Sequence, residues 1–117
     1  MRILVVDDHA DLAMSTGKLL ELLGYEVRTA LDGHSAIEAA IAFLPHAILL
    51  DVGMPRLSGL DVARQIRQAP ALKSVVLVAI TGYGDALSRR KIGEAGFDHF
   101  LLKPCDTVDL TRILDGI

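Results

Sequence analysis

Three carboxylates stand where a parallel sheet would gather them. Asp51 closes the apolar run Ala47–Leu50 and precedes the loop-forming Gly53-Met54-Pro55, while Asp7 and Asp8 close the run Ile3–Val6 in the same way. Two parallel strands ending there would bring three acids to one sheet edge. At about 5 Å and an effective dielectric of about 20, each like-charged pair costs on the order of 3 kcal/mol, so something cationic must offset the crowding. A hard divalent ion with oxygen ligands fits that need. Two further apolar runs end in Thr81 and Lys103, adding a hydroxyl and an ammonium. A phosphoryl group arriving on Asp51 would bring three oxygens. A metal could take one, Lys103 another, and Thr81 with nearby backbone N–H groups the third.

The elements that must position these groups follow from the alternation of short apolar runs with longer segments of helical period, which predicts βα units. Strands are expected over Ile3–Val6, Glu26–Thr29, Ala47–Leu50, Val75–Ile80 and Phe100–Leu102. A first helix over Asp11–Leu23 would place Leu12, Thr16, Leu19 and Leu23 on one stripe and stop at Gly24, which tolerates the left-handed conformation. Asp32 or Ser35 could cap a second helix carrying Ile37 and Ile41 up to Pro45; Ser58 could cap a third presenting Val62, Ala63 and Ile66. A fourth spans Asp85–Ala95 and ends at Gly96. A fifth follows Pro104, where Asp106 and Asp109 have capping-box spacing and Val108, Ile113 and Leu114 supply apolar contacts. Right-handed crossovers then favour a doubly wound sheet, which collects ligands outside the carboxyl ends of its strands.

Composition agrees with this architecture. The 117 residues make one domain, 1–117, and a hydrophobic fraction of 51% with only 4% aromatic suits a sheet buried on both faces. No apolar run approaches the roughly 20 residues of a membrane span. The chain opens directly into a strand at Arg2 without an apolar leader, so a cytoplasmic location is expected. A formal charge of −3 gives no electrostatic footprint for nucleic acid. Cys105, the sole cysteine, can form no intrachain disulfide and offers no metal-site spacing.

Val5-Val6-Asp7-Asp8, Leu49-Leu50-Asp51-Val52-Gly53-Met54-Pro55 with Ser58-Gly59, Ile80-Thr81-Gly82, and Ala95-Gly96-Phe97-Asp98 leading into Lys103-Pro104 together resemble the receiver domain of two-component response regulators. The resemblance covers essentially the whole chain. It implies a flavodoxin-like α/β fold with five parallel strands in the order 2-1-3-4-5 and five flanking helices. By position, Asp51 resembles the phosphoacceptor, Asp7 and Asp8 the acidic pocket for Mg²⁺, Lys103 the phosphate-binding ammonium and Thr81 the switch hydroxyl. Phe100 falls at the switch aromatic position. Asp51, Asp8 and the Gly53 carbonyl would hold the metal, with Asp7 acting through water. The Lys103-Pro104 bond is expected to be cis. The implied partners are a histidine kinase or histidine phosphotransfer domain, with a homodimer through the fourth helix, fifth strand and fifth helix as a further option. The phrasing around Ile80–Gly84 and Gly96–Phe100 is similar to receivers of hybrid histidine kinases or stand-alone receivers.

Two residues bear on kinetics. Gly53, two past Asp51, has no side chain to guide a water, and Tyr83, two past Thr81, is bulky enough to lean over the pocket and govern water access. The histidines at 9, 34, 46 and 99 are scattered and favour surface roles, with His9 singled out because it follows the acidic pair. Arg89-Arg90-Lys91 reads as a solvated helix face that could also meet an acidic partner. An aspartyl phosphatase of the haloacid dehalogenase type is disfavoured, because Gly53 occupies the place of its second Asp. A receiver-like module that is never phosphorylated is the remaining alternative.

Overall fold

Each apolar run expected to form a strand does so, within a residue or two at its ends. The computed structural model describes residues 1–117. Its elements are β1 (Arg2–Val6), α1 (Ala10–Leu22), β2 (Glu26–Ala30), α2 (Gly33–Phe43), β3 (Ala47–Asp51), α3 (Gly59–Gln68), a 3₁₀ turn (Pro70–Leu72), β4 (Val76–Thr81), α4 (Ala86–Glu94), β5 (His99–Leu102) and α5 (Thr107–Asp115). All strand pairs are parallel, in the order β2-β1-β3-β4-β5. This is the expected flavodoxin-like sheet.

Strand pleating sorts the core into two layers. Leu4, Val6, Ile48, Leu50 and Leu77 pack with Ala36, Ala40, Val62, Ala63 and Ile66 of α2 and α3. Ile3, Val5, Ala47, Leu49 and Val78 pack with Ala13, Leu20, Leu110 and Leu114 of α1 and α5. Register brings the strand ends level, with Val6 opposite Leu50 and Asp51 opposite Ile80. Asp7, Asp8 and Asp51 therefore leave the sheet at one edge.

Four helices start on side-chain caps, three of them the expected ones and Asp85 a fourth that the sequence marked only as the start of its helix. Asp32, Ser58, Asp85 and Asp106 accept hydrogen bonds from Ser35, Asp61, Ser88 and Val108 N–H. The backbone N–H of Ser35, then its hydroxyl, lowers the pKa of Asp32; the hydroxyl of Ser88, then its N–H, lowers that of Asp85. A depressed carboxyl pKa stabilises the fold above its ordinary value of 3.8, and that contribution disappears as pH falls through the folded value. Gly24 and Gly96 take φ of +98° and +104° at helix ends, as their positions suggest.

Several packing expectations are corrected. The α1 stripe of Leu12, Thr16, Leu19 and Leu23 does not enter the core, since Leu12 is 53% and Leu23 48% exposed. Ala13, Gly17 and Leu20 are buried instead. Small residues let α1 approach β2 closely: a Cβ on Gly17 would already lie 3.5 Å from Thr29 and Val27. Ile41 and Val108 are likewise exposed, displaced by Ala40 and Phe43 in α2 and by Leu110 in α5. Val75 is buried but lies just before β4. The Asp106 and Asp109 spacing makes no reciprocal capping box, because the Asp109 carboxylate turns to Arg112 at 3.6 Å.

Two arginines tie the amino edge of the sheet. Arg2 donates through Nε to the Phe43 and Leu44 carbonyls and through Nη2 to Leu44, closing the end of α2. Arg67 donates to Gly96 O at 2.9 Å, Val75 O at 2.7 Å and Asp98 Oδ2 at 2.7 Å, and Asp98 Oδ2 also accepts from Leu77 N. One guanidinium thus binds the end of α3 to β4 and to the turn before β5.

Leu44 adopts φ of +50° at the end of α2. A side chain in the left-handed region costs roughly 1–2 kcal/mol, and glycine avoids that cost. Leu44→Gly should therefore stabilise the domain by about 1 kcal/mol and raise its thermal midpoint by about 4 °C. A lower midpoint would show that the half-exposed leucine contributes more by packing than its backbone loses by strain.

Candidate functional site

The carboxyl edge of the sheet collects the acids at the ends of β1 and β3, the hydroxyl at the end of β4 and the ammonium just past β5. Asp51 is 4% exposed and Thr81 4%, and they are the only buried polar or charged residues. Asp51 Oδ1 accepts from Gly53 N at 3.0 Å and pairs with Lys103 Nζ at 3.1 Å. Oδ2 accepts no protein hydrogen bond, yet no buried side-chain oxygen is left orphaned, so Oδ2 reaches the pocket opening. One oxygen is thus anchored and the other is free to react.

Ligating atoms of Asp7, Asp8, His9 and Asp51 all lie within 4.8 Å of one another. The three carboxylates form a hard oxygen set that suits Mg²⁺. The Gly53 carbonyl accepts no backbone hydrogen bond, so a fourth oxygen at the loop is available. Behind this loop, a Cβ on Gly59 would come within 2.5 Å of Asp51 O and 2.7 Å of Val52 Cα. Only glycine lets α3 start so close to the strand end that carries Asp51.

Thr81 Oγ1 accepts from Tyr83 N at 3.1 Å, which couples the hydroxyl to the loop before α4. The Tyr83 ring is 72% exposed and does not cover the pocket in this conformation. Phe100 is half-buried, and the Arg89 guanidinium lies 5.2 Å from its ring centroid. Arg89 is therefore engaged with the neighbouring strand rather than merely solvated, a contact that helical periodicity alone could not reveal. Arg90 pairs with Glu94 at 3.1 Å on the open face. The Lys103-Pro104 bond is cis, as expected.

Among the histidines, His46 Nδ1 accepts from Arg2 N, a structural role. His9 alone joins the acidic cluster. Partial burial first, then the Asp109 and Asp106 carboxylates, push the Cys105 thiol up from its ordinary value, so it stays protonated at neutral pH.

Fold and site together define a flavodoxin-like α/β domain with an acidic, lysine-bearing pocket at the carboxyl edge of its sheet. A family model described as the response regulator receiver domain matches residues 3–115, and the chain belongs to this family of two-component signalling proteins. It is 40% identical over 104 residues to the transcriptional regulatory protein PrrA of Mycobacterium tuberculosis, covering 88% of this chain and 43% of PrrA. The response regulator MprA of Mycobacterium avium is 43% identical over 106 residues, 89% of this chain and 45% of that protein. PleD of Caulobacter vibrioides is 41% identical over 110 residues, 93% and 24%. The chain therefore spans less than half the length of these curated relatives. Among solved structures, chemotaxis protein CheY4 of Vibrio cholerae superposes with a TM-score of 0.93 at 26% identity, covering 99% of this chain and 97% of that one. A CheY-like receiver domain protein from Methanospirillum hungatei gives 0.90 at 25% identity, covering 98% and 90%.

Lys103 is the one lysine or arginine paired with the buried Asp51. Breaking a fully buried pair costs about 3–5 kcal/mol, and partial exposure of Lys103 reduces this, so Lys103→Met should destabilise the metal-free protein by about 1–2 kcal/mol. Urea unfolding should show a lower midpoint at unchanged slope. An unchanged midpoint would mean that Asp51 is compensated by another group.

Proposed function

We propose that this chain, taken as one receiver unit over residues 1–117, is a phosphoaccepting switch in which Asp51 takes a phosphoryl group from a phosphohistidine. The observation that carries the reading is the asymmetry of Asp51, with Oδ1 held by Lys103 and Gly53 and Oδ2 left free beside two further acids. Oδ2 would attack phosphorus in line. The P–N bond to the donor imidazole would break, its electron pair staying with the ring nitrogen. Lys103 would follow the charge from the carboxylate to a phosphoryl oxygen, and the Thr81 hydroxyl would donate to another. Mg²⁺, held by Asp8, Asp51 and the Gly53 carbonyl with Asp7 behind, would supply neutralising charge for the transferring group.

The donor would be a histidine kinase or a histidine phosphotransfer domain. An open groove of about 550 Å³ beside Lys103, lined by Leu12, Thr16, Leu19, Pro104 and Leu110, gives such a partner an approach to the pocket. Phosphorylation adds up to two negative charges, and the groups that re-form around them lie at the end of β4 and just past β5. The surface of α4, β5 and α5 would therefore change, with Phe100 and Arg89 at its centre. Exposed Leu87, Leu102 and Val108 on this surface suit a homodimer or another protein partner. The exposed Tyr83 ring would govern water access to the phosphoryl group by folding over the pocket after phosphorylation. The domain would catalyse its own phosphorylation and dephosphorylation and act in the cytoplasm. Its similarity to receivers of hybrid kinases or stand-alone receivers stands beside relatives that are response regulators.

Incubation with acetyl phosphate and Mg²⁺ followed by intact mass measurement tests this reading. Wild type should gain about 80 Da, one phosphoryl group, only when Mg²⁺ is present, and Asp51→Asn should gain nothing. If wild type gains no mass and beryllofluoride leaves its amide spectrum unchanged, the unphosphorylated interaction module becomes the better account.

A further inference from the structure

His9 is the single nitrogen donor at an otherwise oxygen-lined pocket. Its Nδ1 stands 3.3 Å from Asp7 Oδ1 and 3.3 Å from Asp8 Oδ1. Two donors bound at about 2.1 Å to one first-row divalent ion, about 90° apart, are about 3 Å from each other. The ring lies within hydrogen-bonding reach of Asp7 Oδ1 at this distance, and the same spacing is that of two co-ligands on one ion, with the Asp51 carboxylate also within 4.8 Å. Its position at the start of α1 does not consume it, because the side chain makes no capping hydrogen bond. The backbone does the anchoring instead: His9 N donates to Asp7 Oδ1 at 2.9 Å, which fixes the residue with its ring on the acidic pair.

We propose that His9 is a metal ligand that shifts the preference of this pocket from Mg²⁺ toward imidazole-binding first-row ions of the Zn²⁺ class. The inference rests on the proposed metal pocket and deepens it. Carboxylates and a carbonyl serve Mg²⁺ well, and Mg²⁺ keeps its remaining positions for water. An imidazole adds little for that ion but much for Zn²⁺ or Co²⁺. The acids thus set how strongly a divalent ion binds, and His9 sets which one.

Titration calorimetry of the full chain with Zn²⁺ and with Mg²⁺ reads both affinities, and the visible absorption of bound Co²⁺ reads the donor set. His9→Ala should lower the ratio of Zn²⁺ to Mg²⁺ affinity at least about tenfold, and His9→Gln should do the same while retaining side-chain bulk. The Co²⁺ spectrum should change in both variants. Asp51→Asn should weaken binding of both ions, locating them at this pocket. If the ratio and the Co²⁺ spectrum are the same in wild type and both His9 variants, the ring is not a ligand and the inference fails. If Zn²⁺ binding is insensitive to Asp51→Asn, the ion sits elsewhere and the inference fails too. If wild type binds neither ion, the metal pocket itself is wrong, an outcome distinct from a pocket that binds Mg²⁺ without help from His9.

Discussion

Carboxylate crowding at the carboxyl edge of the sheet is the constraint around which this structure is arranged. Parallel strands that end level cannot avoid it once β1 and β3 both terminate in acids, because register puts Val6 and Leu50 side by side. Each like-charged contact at this spacing works against folding by a few kcal/mol. The compensating groups come from two different segments, Lys103 from beyond β5 and the Gly53 N–H from the loop after β3, and the His9 ring at the start of α1 lies 3.3 Å from two of the acids. A tertiary fold is needed to assemble them, because the site draws on the ends of β1, β3, β4 and β5 together.

The same arrangement gives the pocket a mechanical connection. Tyr83 N donates to Thr81 Oγ1, so a displacement of this hydroxyl pulls on the β4–α4 loop. The adjoining Gly84 packs on Leu102 so closely that a Cβ there would lie 3.0 Å from its Cδ2. Asp85 then caps α4, and one turn on Arg89 lies over Phe100 of β5. This is a contiguous set of contacts from the buried hydroxyl to the outer face of the sheet. Under the proposed function, charge added at Asp51 acts on both ends of it, through Thr81 on β4 and Lys103 beyond β5.

What was legible in the sequence divides along physical lines. Strand runs, three of the helix caps and the residues at the strand ends are local signals: apolar runs bounded by turn residues, and Asp or Ser before a helical period. Asp51, Asp7, Asp8, Thr81 and Lys103 could be placed at one edge because parallel topology fixes where strand ends go. Helix rotation was not legible. For α1 the leucine stripe and the small-residue stripe were both plausible inner faces, and the close approach of α1 to β2 decided for Ala13 and Gly17. Long-range polar contacts were equally hidden. Arg67 and Asp98 lie 31 residues apart and meet only because α3 and the turn before β5 end at the same edge.

That pair shows how the fold separates stability from chemistry. Helices that flank a parallel sheet run back to its amino edge, so their last carbonyls gather there, opposite the acids. Arg2 and Arg67 satisfy several of these carbonyls at once, and hydrogen bonds to a charged donor are worth roughly twice neutral ones. A Cβ at Gly96 would come within 2.7 Å of Arg67 Cγ, so the turn and the guanidinium fit each other closely. The amino edge is thus bound together by positive groups that each hold several partners at once. The carboxyl edge holds an anion that is buried, one lysine and an open oxygen, which can be re-paired when a charge is added. A domain anchored at one edge can tolerate rearrangement at the other without losing its sheet. Under the proposed function, the two arginines would hold the sheet in place while the groups around Asp51 rearrange.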